Sequence, residues 1–264
     1  MVDVLASRLE TLLPGGKGVW VPMDHSSSSF PERGLVDPNS SVDSAIDGGA
    51  DAIILHKGAV SYHSKRTGWK RFVCHASVST VHGGNRSQDK ILVANATESI
   101  SRGAIAISAQ VNLGDPKEPE MIRRMASITT ESVVAGIPVL GMFYPRGENL
   151  NLDESDITSG VAHAARLAWE LGCNVVKVPW TGSEESFRIV TSSVPIPVLV
   201  SGGARDREFT DILKIVEVSL IAGGAGVCVG RHVFGSKEPA SRIKALRAMV
   251  HDGATSDEAS KYLG

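Results

Sequence analysis

Short runs of apolar, often β-branched residues recur along the chain and are apolar at nearly every position rather than at alternate ones. They are GVWVPMD (18–24), DAIILHK (51–57), RFVCHA (71–76), AIAISAQV (104–111), IPVLGMFY (137–144), NVVKVPW (174–180), IPVLVSGG (196–203) and AGVCVGR (225–231). A strand with one face in water alternates, so unbroken apolar character predicts strands covered on both faces, as in a parallel sheet. The segments between them open on turn residues and then take up a helical period. In DESDITSGVAHAARLAWELG, the residues Ile157, Val161, Ala164, Ala165, Leu167 and Ala168 fall near one helical face, and Gly172 supplies the stop. SEESFRIV predicts a short helix with Ser183 as its N-cap and Glu185 close behind. Strand and helix repeat about eight times without a linker or low-complexity tract, so the predicted fold is a single (β/α)8 TIM barrel over 1–264. The weakest unit is the second, because GAVSYHSKRTGWK is too short and polar for a full crossover helix.

Composition narrows the classes. A chain of 264 residues that is 42% hydrophobic and 21% charged can bury one large core, and a net charge of −2 gives no reason to expect nucleic acid or a membrane surface. Cys74, Cys173 and Cys228 are odd in number, widely spaced and set in or beside apolar runs, which reads as reduced core thiols. The start MVDVLASRLETLLPGGKG lacks a signal-peptide pattern, and no run reaches the ~18 apolar residues of a membrane span, so the expected location is cytoplasmic.

In such a barrel the chemistry sits at the carboxyl ends of the strands. That rule collects Asp24 and His25 after the first strand, His56 and Lys57 after the second, Gln110 on the fourth, Tyr144 and Arg146 after the fifth, and Lys177 and Trp180 on the sixth. Lys177 is the odd member, an ammonium inside a run of valines. Burial of a charge costs several kcal/mol, so an unpaired buried lysine is expected to lose its proton and become a nucleophile. A strand-end lysine can instead snorkel to water. Lys57 is a rival nucleophile, Tyr144 reads equally as a barrel-mouth aromatic, and Asp24 as a turn cap in DHSSSS.

The last two strands end in SGGARD and VGRHVFG. Paired glycines bring backbone N–H groups close to an anion at the two loops where these barrels often hold phosphate, and Arg231 adds a guanidinium fork. A lysine amine beside a bound ketose phosphate points to imine-based aldol chemistry, in which proton transfers call for groups such as Tyr144 and Asp24. The eight histidines show no metal-ligand spacing, so neither a metal nor another cofactor is expected, and His25, His56, His63, His75 and His82 read as structural or substrate-contacting.

The stretches VPMDHSSS…GL, GGADAIILHKG, MFYPRGE, VAHAARLAWELGCNVVKVPWTGSEESF, PVLVSGG and GVCVGRHVF, in order from about residue 17 to about residue 250, resemble the archaeal-type class I aldolases of the DhnA/DeoC-like group. Within it, VPMDH and LHKG are more similar to the synthases of 2-amino-3,7-dideoxy-D-threo-hept-6-ulosonate than to the fructose-bisphosphate aldolases. The synthase branch joins aspartate semialdehyde to a fragment of 6-deoxy-5-ketofructose 1-phosphate, on a route to 3-dehydroquinate and the aromatic amino acids. The resemblance implies Lys177 as Schiff-base residue, Tyr144 as proton donor and Asp24 as general acid/base. It also implies substrate contacts over His25, Ser26, Ser27 and Ser28, at Tyr144, Pro145 and Arg146, at Gly202 and Gly203, and at Gly230 and Arg231. The implied partners are a phosphorylated ketose and a small aldehyde, and a homo-oligomer. Ser26 stands where relatives have glycine, Gln110 where the synthases have histidine, Trp180 for tyrosine, and GGAR for GGPK. A non-catalytic sugar-phosphate-binding barrel is the reading from outside the enzymes; it would need the phosphate loops but not the lysine, tyrosine and aspartate together.

Overall fold

In the computed structural model, residues 2–30, 32–152, 156–203 and 207–263 are described. Asp153, Glu154 and Ser155 of the DESD run and Ala204, Arg205 and Asp206 of the SGGARD turn lie outside them. Eight parallel strands close a barrel in chain order: β1 (Gly18–Pro22), β2 (Ala52–His56), β3 (Phe72–His75), β4 (Ala106–Leu113), β5 (Val139–Pro145), β6 (Val175–Val178), β7 (Val198–Ser201) and β8 (Gly226–Cys228). All eight lie within or across the apolar runs of the sequence. β8 returns to β1 with Gly18 opposite Gly226 and Trp20 opposite Cys228.

Alternate residues of every strand face opposite layers, which accounts for the unbroken apolar runs. Val19, Ile53, Phe72, Ile107, Val139, Val176, Val198 and Val227 pack outward under the helices. Trp20, Ile54, Val73, Leu140, Val175 and Leu199 fill the barrel interior, with Leu12 and Leu13 beneath them at the end of helix α1 (Val2–Leu12). The Trp20 indole N–H donates to the Leu12 carbonyl at 2.8 Å. Above that apolar layer the inward positions turn polar: His56, His75, Gln110, Tyr144, Lys177 and Ser201 all open onto one cavity.

The crossovers are α2 (Pro38–Asp47), α3 (Lys57–Thr67), α4 (Ala96–Ser101), α5 (Glu118–Ala135), α6 (Thr158–Glu170), α7 (Glu184–Ser192), α8 (Phe209–Ile221), the single turn α9 (Arg231–Phe234) and α10 (Pro239–Asp252), followed by α11 (Ser256–Ser260). Ser183 caps α7 as expected, but its partner across the capping box is Ser186 rather than Glu185. The expectation for the second crossover fails. α3 runs eleven residues from the end of β2, with Val60, His63 and Ser64 buried and Gly68 at φ 68° ending it. A stripe of small and polar residues suffices because Ser64 donates to the Arg102 carbonyl at 3.0 Å instead of packing hydrocarbon. The run 77–95 is irregular: residues 77–78 and 91–92 form a two-residue antiparallel pair around a 3-10 segment, Val81–Arg86.

At the amino end of the barrel, Asp51 is almost fully buried and ties α10 to the first two strands. Its carboxylate accepts from the Val19 amide (2.8 Å), His251 Nε2 (2.7 Å) and Arg247 Nη1 (3.1 Å). Among the described residues, no helix is long and apolar enough to cross a membrane.

Candidate active site

The cavity at the carboxyl ends of the strands has a volume of about 380 Å³. Of the predicted positions it brings together Asp24, His25, Ser28, Gln110, Tyr144, Arg146, Lys177, Gly202, Gly203, Gly230 and Arg231. The others stand elsewhere. Lys57 is the first residue of α3 and pairs with Glu98 at 3.2 Å, so the rival nucleophile does not face the cavity. Trp180 packs outward on Phe187, ring centroids 5.2 Å apart, because the backbone has left the β6 alternation by that point. Ser26 and Ser27 line a separate apolar recess with Phe30, Leu35 and Val36, and Pro145 is not in the cavity wall.

Lys177 lies opposite Met142 on β5 and Leu199 on β7. Its ammonium faces the Tyr144 hydroxyl and the Cys228 thiol. Burial pushes it down, but the negative charge that Cys228, Tyr144 and Asp24 carry when ionised outweighs burial, and the group is held above the ordinary lysine range. The expectation that burial alone frees the amine is therefore not met. The sequence shows the valines around Lys177 but not the acidic partners that three other strands bring to it. The Cys228 thiol is pushed up to about 11 by burial and is neutral at pH 7, which leaves Asp24 as the standing anion beside the lysine.

Asp24 opens a 3-10 turn, Asp24–Ser27, just past β1. Burial penalises its charged form, yet His75, His25, His56 and Lys177 together hold the carboxyl below the usual carboxylate range. Its Oδ1 is buried without a hydrogen-bond partner among the described residues, so it does not cap the turn. His25 Nδ1 and His75 Nε2 each lie 3.8 Å from a carboxylate oxygen. Burial pushes His75 down to about 3, and His25 and His56 below the ordinary histidine range, so all three rings are neutral at pH 7. A serine hydroxyl fixes the His75 ring, Nδ1 to Ser108 Oγ at 2.8 Å, and the His56 ring sits 5.3 Å from it, edge to face.

On the opposite wall Arg146 lies over the Tyr144 ring, 4.7 Å from its centroid, and donates from Nε to Asn112 Oδ1 at 2.9 Å. Gln110 donates to the same Asn112 oxygen at 2.7 Å. The glycine turns close the third side. Gly203 adopts φ 70°, a left-handed conformation that side chains disfavour, and a Cβ at Gly230 would collide with the Pro22 carbonyl. Arg231 Nη2 donates to the Gly203 carbonyl at 3.3 Å, bringing the two turns together.

The sequence placed His56 at the barrel mouth and read His56 and His75 as structural or substrate-contacting, and both line the cavity. It missed Ser201 and Cys228, inward residues at strand ends that the alternation itself marks. Lys90 carried no signal, because it sits in the irregular run between β3 and α4. Among the described residues, no group of three or more His, Cys, Asp or Glu is arranged to hold a metal ion.

Comparison with known proteins gives a consistent set of likenesses. The profile described as DeoC/LacD family aldolase matches residues 19–236. The chain is 35% identical over 258 residues, 97% of its length and 95% of the relative's, to 2-amino-3,7-dideoxy-D-threo-hept-6-ulosonate synthase 1 of Archaeoglobus fulgidus. It is 34% identical over 238 residues, 89% of its length and 85% of the relative's, to 2-amino-4,5-dihydroxy-6-oxo-7-(phosphonooxy)heptanoate synthase of Streptomyces griseus. Among solved structures it is similar to an archaeal fructose-1,6-bisphosphate aldolase whose catalytic lysine is covalently bound to the carbinolamine intermediate. There the identity is 25%, the TM-score 0.81, and the match covers 93% of this chain and 99% of that one.

Proposed function

The chain belongs to the DeoC/LacD family of aldolases, and from that premise we propose that it exchanges one aldehyde for another on a ketone held as an imine of Lys177. The observation that carries this reading is a lysine buried inside the barrel with Tyr144 and Asp24 as its polar neighbours. Lys177 adds to the ketone, and Tyr144 protonates the departing oxygen so that water leaves. The imine then accepts the electron pair of the adjacent carbon–carbon bond as an enamine, while Asp24 takes the proton of the β-hydroxyl. The enamine carbon attacks the incoming aldehyde, and hydrolysis of the new imine releases product. Gly202, Gly203, Gly230 and Arg231 form the phosphate cradle.

The substrates follow from the relatives' products. Both names describe a seven-carbon 2-amino acid with a ketone at C6. Opening the C4–C5 bond of either yields the same four-carbon amino-acid aldehyde, aspartate semialdehyde. With 6-deoxy-5-ketofructose 1-phosphate as donor the imine forms at C5, the C3–C4 bond breaks, and the phosphate departs on a three-carbon aldehyde. A fructose-bisphosphate aldolase would use the same lysine. Purified protein offered fructose 1,6-bisphosphate alone, and separately the deoxyketose phosphate with aspartate semialdehyde, distinguishes the two. The seven-carbon amino keto acid is expected from the second mixture; cleavage of the bisphosphate without that product overturns the synthase reading.

Tyr144→Phe is expected to lower kcat by about a hundredfold with little change in KM, since the ring still packs under Arg146 and only the proton is lost. Unchanged kcat would assign the proton to another group.

Lys177 is held above its ordinary range, so the free amine is scarce at pH 7 and its fraction grows roughly tenfold per pH unit. Asp24 is held down and already ionised, and the three histidines are held down and already neutral, so none of them adds a step near pH 6.5. Reductive trapping with hydroxyacetone, a ketone without charge of its own, is therefore expected to accelerate steadily from pH 6 to pH 9. A level profile would mean that the amine is already free.

A further inference from the structure

We propose that Lys90, together with Arg146, grips the carboxylate of the entering aldehyde and so selects acidic acceptors. The inference rests on the aldolase reading above and names the part of the cavity that recognises the second substrate.

Lys90 reaches the cavity from the irregular run between β3 and α4, and its backbone is pinned on both sides. The Gln88 carbonyl accepts from Asn112 Nδ2 at 2.8 Å, and the Lys90 carbonyl accepts from Arg124 Nη1 of α5 at 2.9 Å. The carboxylate next in sequence does not neutralise it. Asp89 is buried and taken up by Arg86 at 2.7 Å and by Arg124. No carboxylate lies within ion-pair distance of Lys90 or of Arg146 among the described residues. Burial and the neighbouring Arg146 charge both push the Lys90 ammonium down, with Asp24 alone acting the other way. Arg146, likewise pushed down chiefly by burial, is held by Asn112 and the Tyr144 ring rather than by an acid.

Lys90 is half-buried and Arg146 more exposed. With no carboxylate within ion-pair distance of either among the described residues, the two repel each other unless something negative joins them, and both face the same cavity as Lys177 and Arg231. At neutral pH the described lining carries four cationic side chains against one carboxylate, Asp24. The glycine turns and Arg231 account for one anionic group. Lys90 and Arg146, in the same cavity wall as Tyr144 and Lys177, are left for a second. The ketose phosphate carries a single phosphate, which the cradle holds and which leaves with the first aldehyde; the entering aldehyde brings the second anion, a carboxylate.

Succinic semialdehyde and butanal have chains of the same length and differ in a terminal carboxylate, so the ratio of their kcat/KM values, with hydroxyacetone as donor, isolates recognition of the anion. Lys90→Met is expected to lower that ratio by about ten- to a hundredfold, the worth of one charged hydrogen bond, and Lys90→Arg to restore it to within about threefold. An unchanged ratio in Lys90→Met overturns the proposal, as does an equal fall for both aldehydes, which would make Lys90 a structural or proton-handling group. Failure of the aldolase reading itself would show separately, as an absence of reductive trapping of the wild-type protein by hydroxyacetone.

Discussion

Lys177→Met is expected to lower kcat by at least about 10⁴-fold and to abolish reductive trapping by any ketone, because an unbranched apolar chain of similar volume leaves no nitrogen to form the imine. The barrel should tolerate it. Lys177 stands among Met142, Val175, Leu199 and Cys228, and replacing a buried charge by hydrocarbon is often neutral or stabilising. Arg146, Arg231 and the glycine turns remain, so the variant keeps its anion-binding groups and should still bind a ketose phosphate without turning it over. Mass spectrometry after borohydride treatment checks the covalent step, and a thermal melt checks the fold. A persistent adduct mapped to Lys90, the other lysine in the cavity wall, would overturn the assignment of the nucleophile.

The largest expected effect on stability lies at the other end of the barrel. Asp51→Ala should cost roughly 3–5 kcal/mol, because it strips the partner from Arg247 and His251 and leaves the Val19 amide buried without an acceptor. At about 2–4 °C per kcal/mol for chains of this size, Tm should fall by about 10 °C. Asp51→Asn keeps the shape and one acceptor oxygen and should lose less. The site is remote from the cavity, so catalysis at low temperature should survive while the melt shifts. A loss below about 1 kcal/mol would mean that the three donors find other acceptors or water.

The architecture was legible because its signal is redundant: each strand is apolar at positions such as Val19 and Trp20, which face different layers and both need burial. The lysine, tyrosine and aspartate were legible because they sit at strand ends, where the chain direction fixes which face of the barrel they reach. The failures share a physical cause. Lys57 and Trp180 follow their strands by one or two residues, and once the backbone leaves the pleat the alternation no longer governs where a side chain points. The segment of Lys90 is held by Arg124 on the Lys90 carbonyl and by Asn112 on the Gln88 carbonyl, partners 34 and 24 residues apart in sequence, and such contacts leave no local pattern. The proton on Lys177 is not legible because burial shows in a run of valines, whereas Asp24, the anion that offsets it, comes from the turn after β1.

The closing pair of strands also bears on how the chain is made. Gly18 and Gly226 are partners in the ring, yet 208 positions separate them. At roughly 5–20 residues per second, synthesis takes on the order of 10–40 s to pass from one to the other. During that interval β1 has its β2 edge satisfied and its other edge open, with Val19, Trp20 and Val21 apolar on both faces. An open, apolar strand edge is a template for pairing with other chains. The nascent protein therefore depends on its surroundings until Cys228 has emerged, and the strand that precedes the proposed acid/base residue is the one that waits longest.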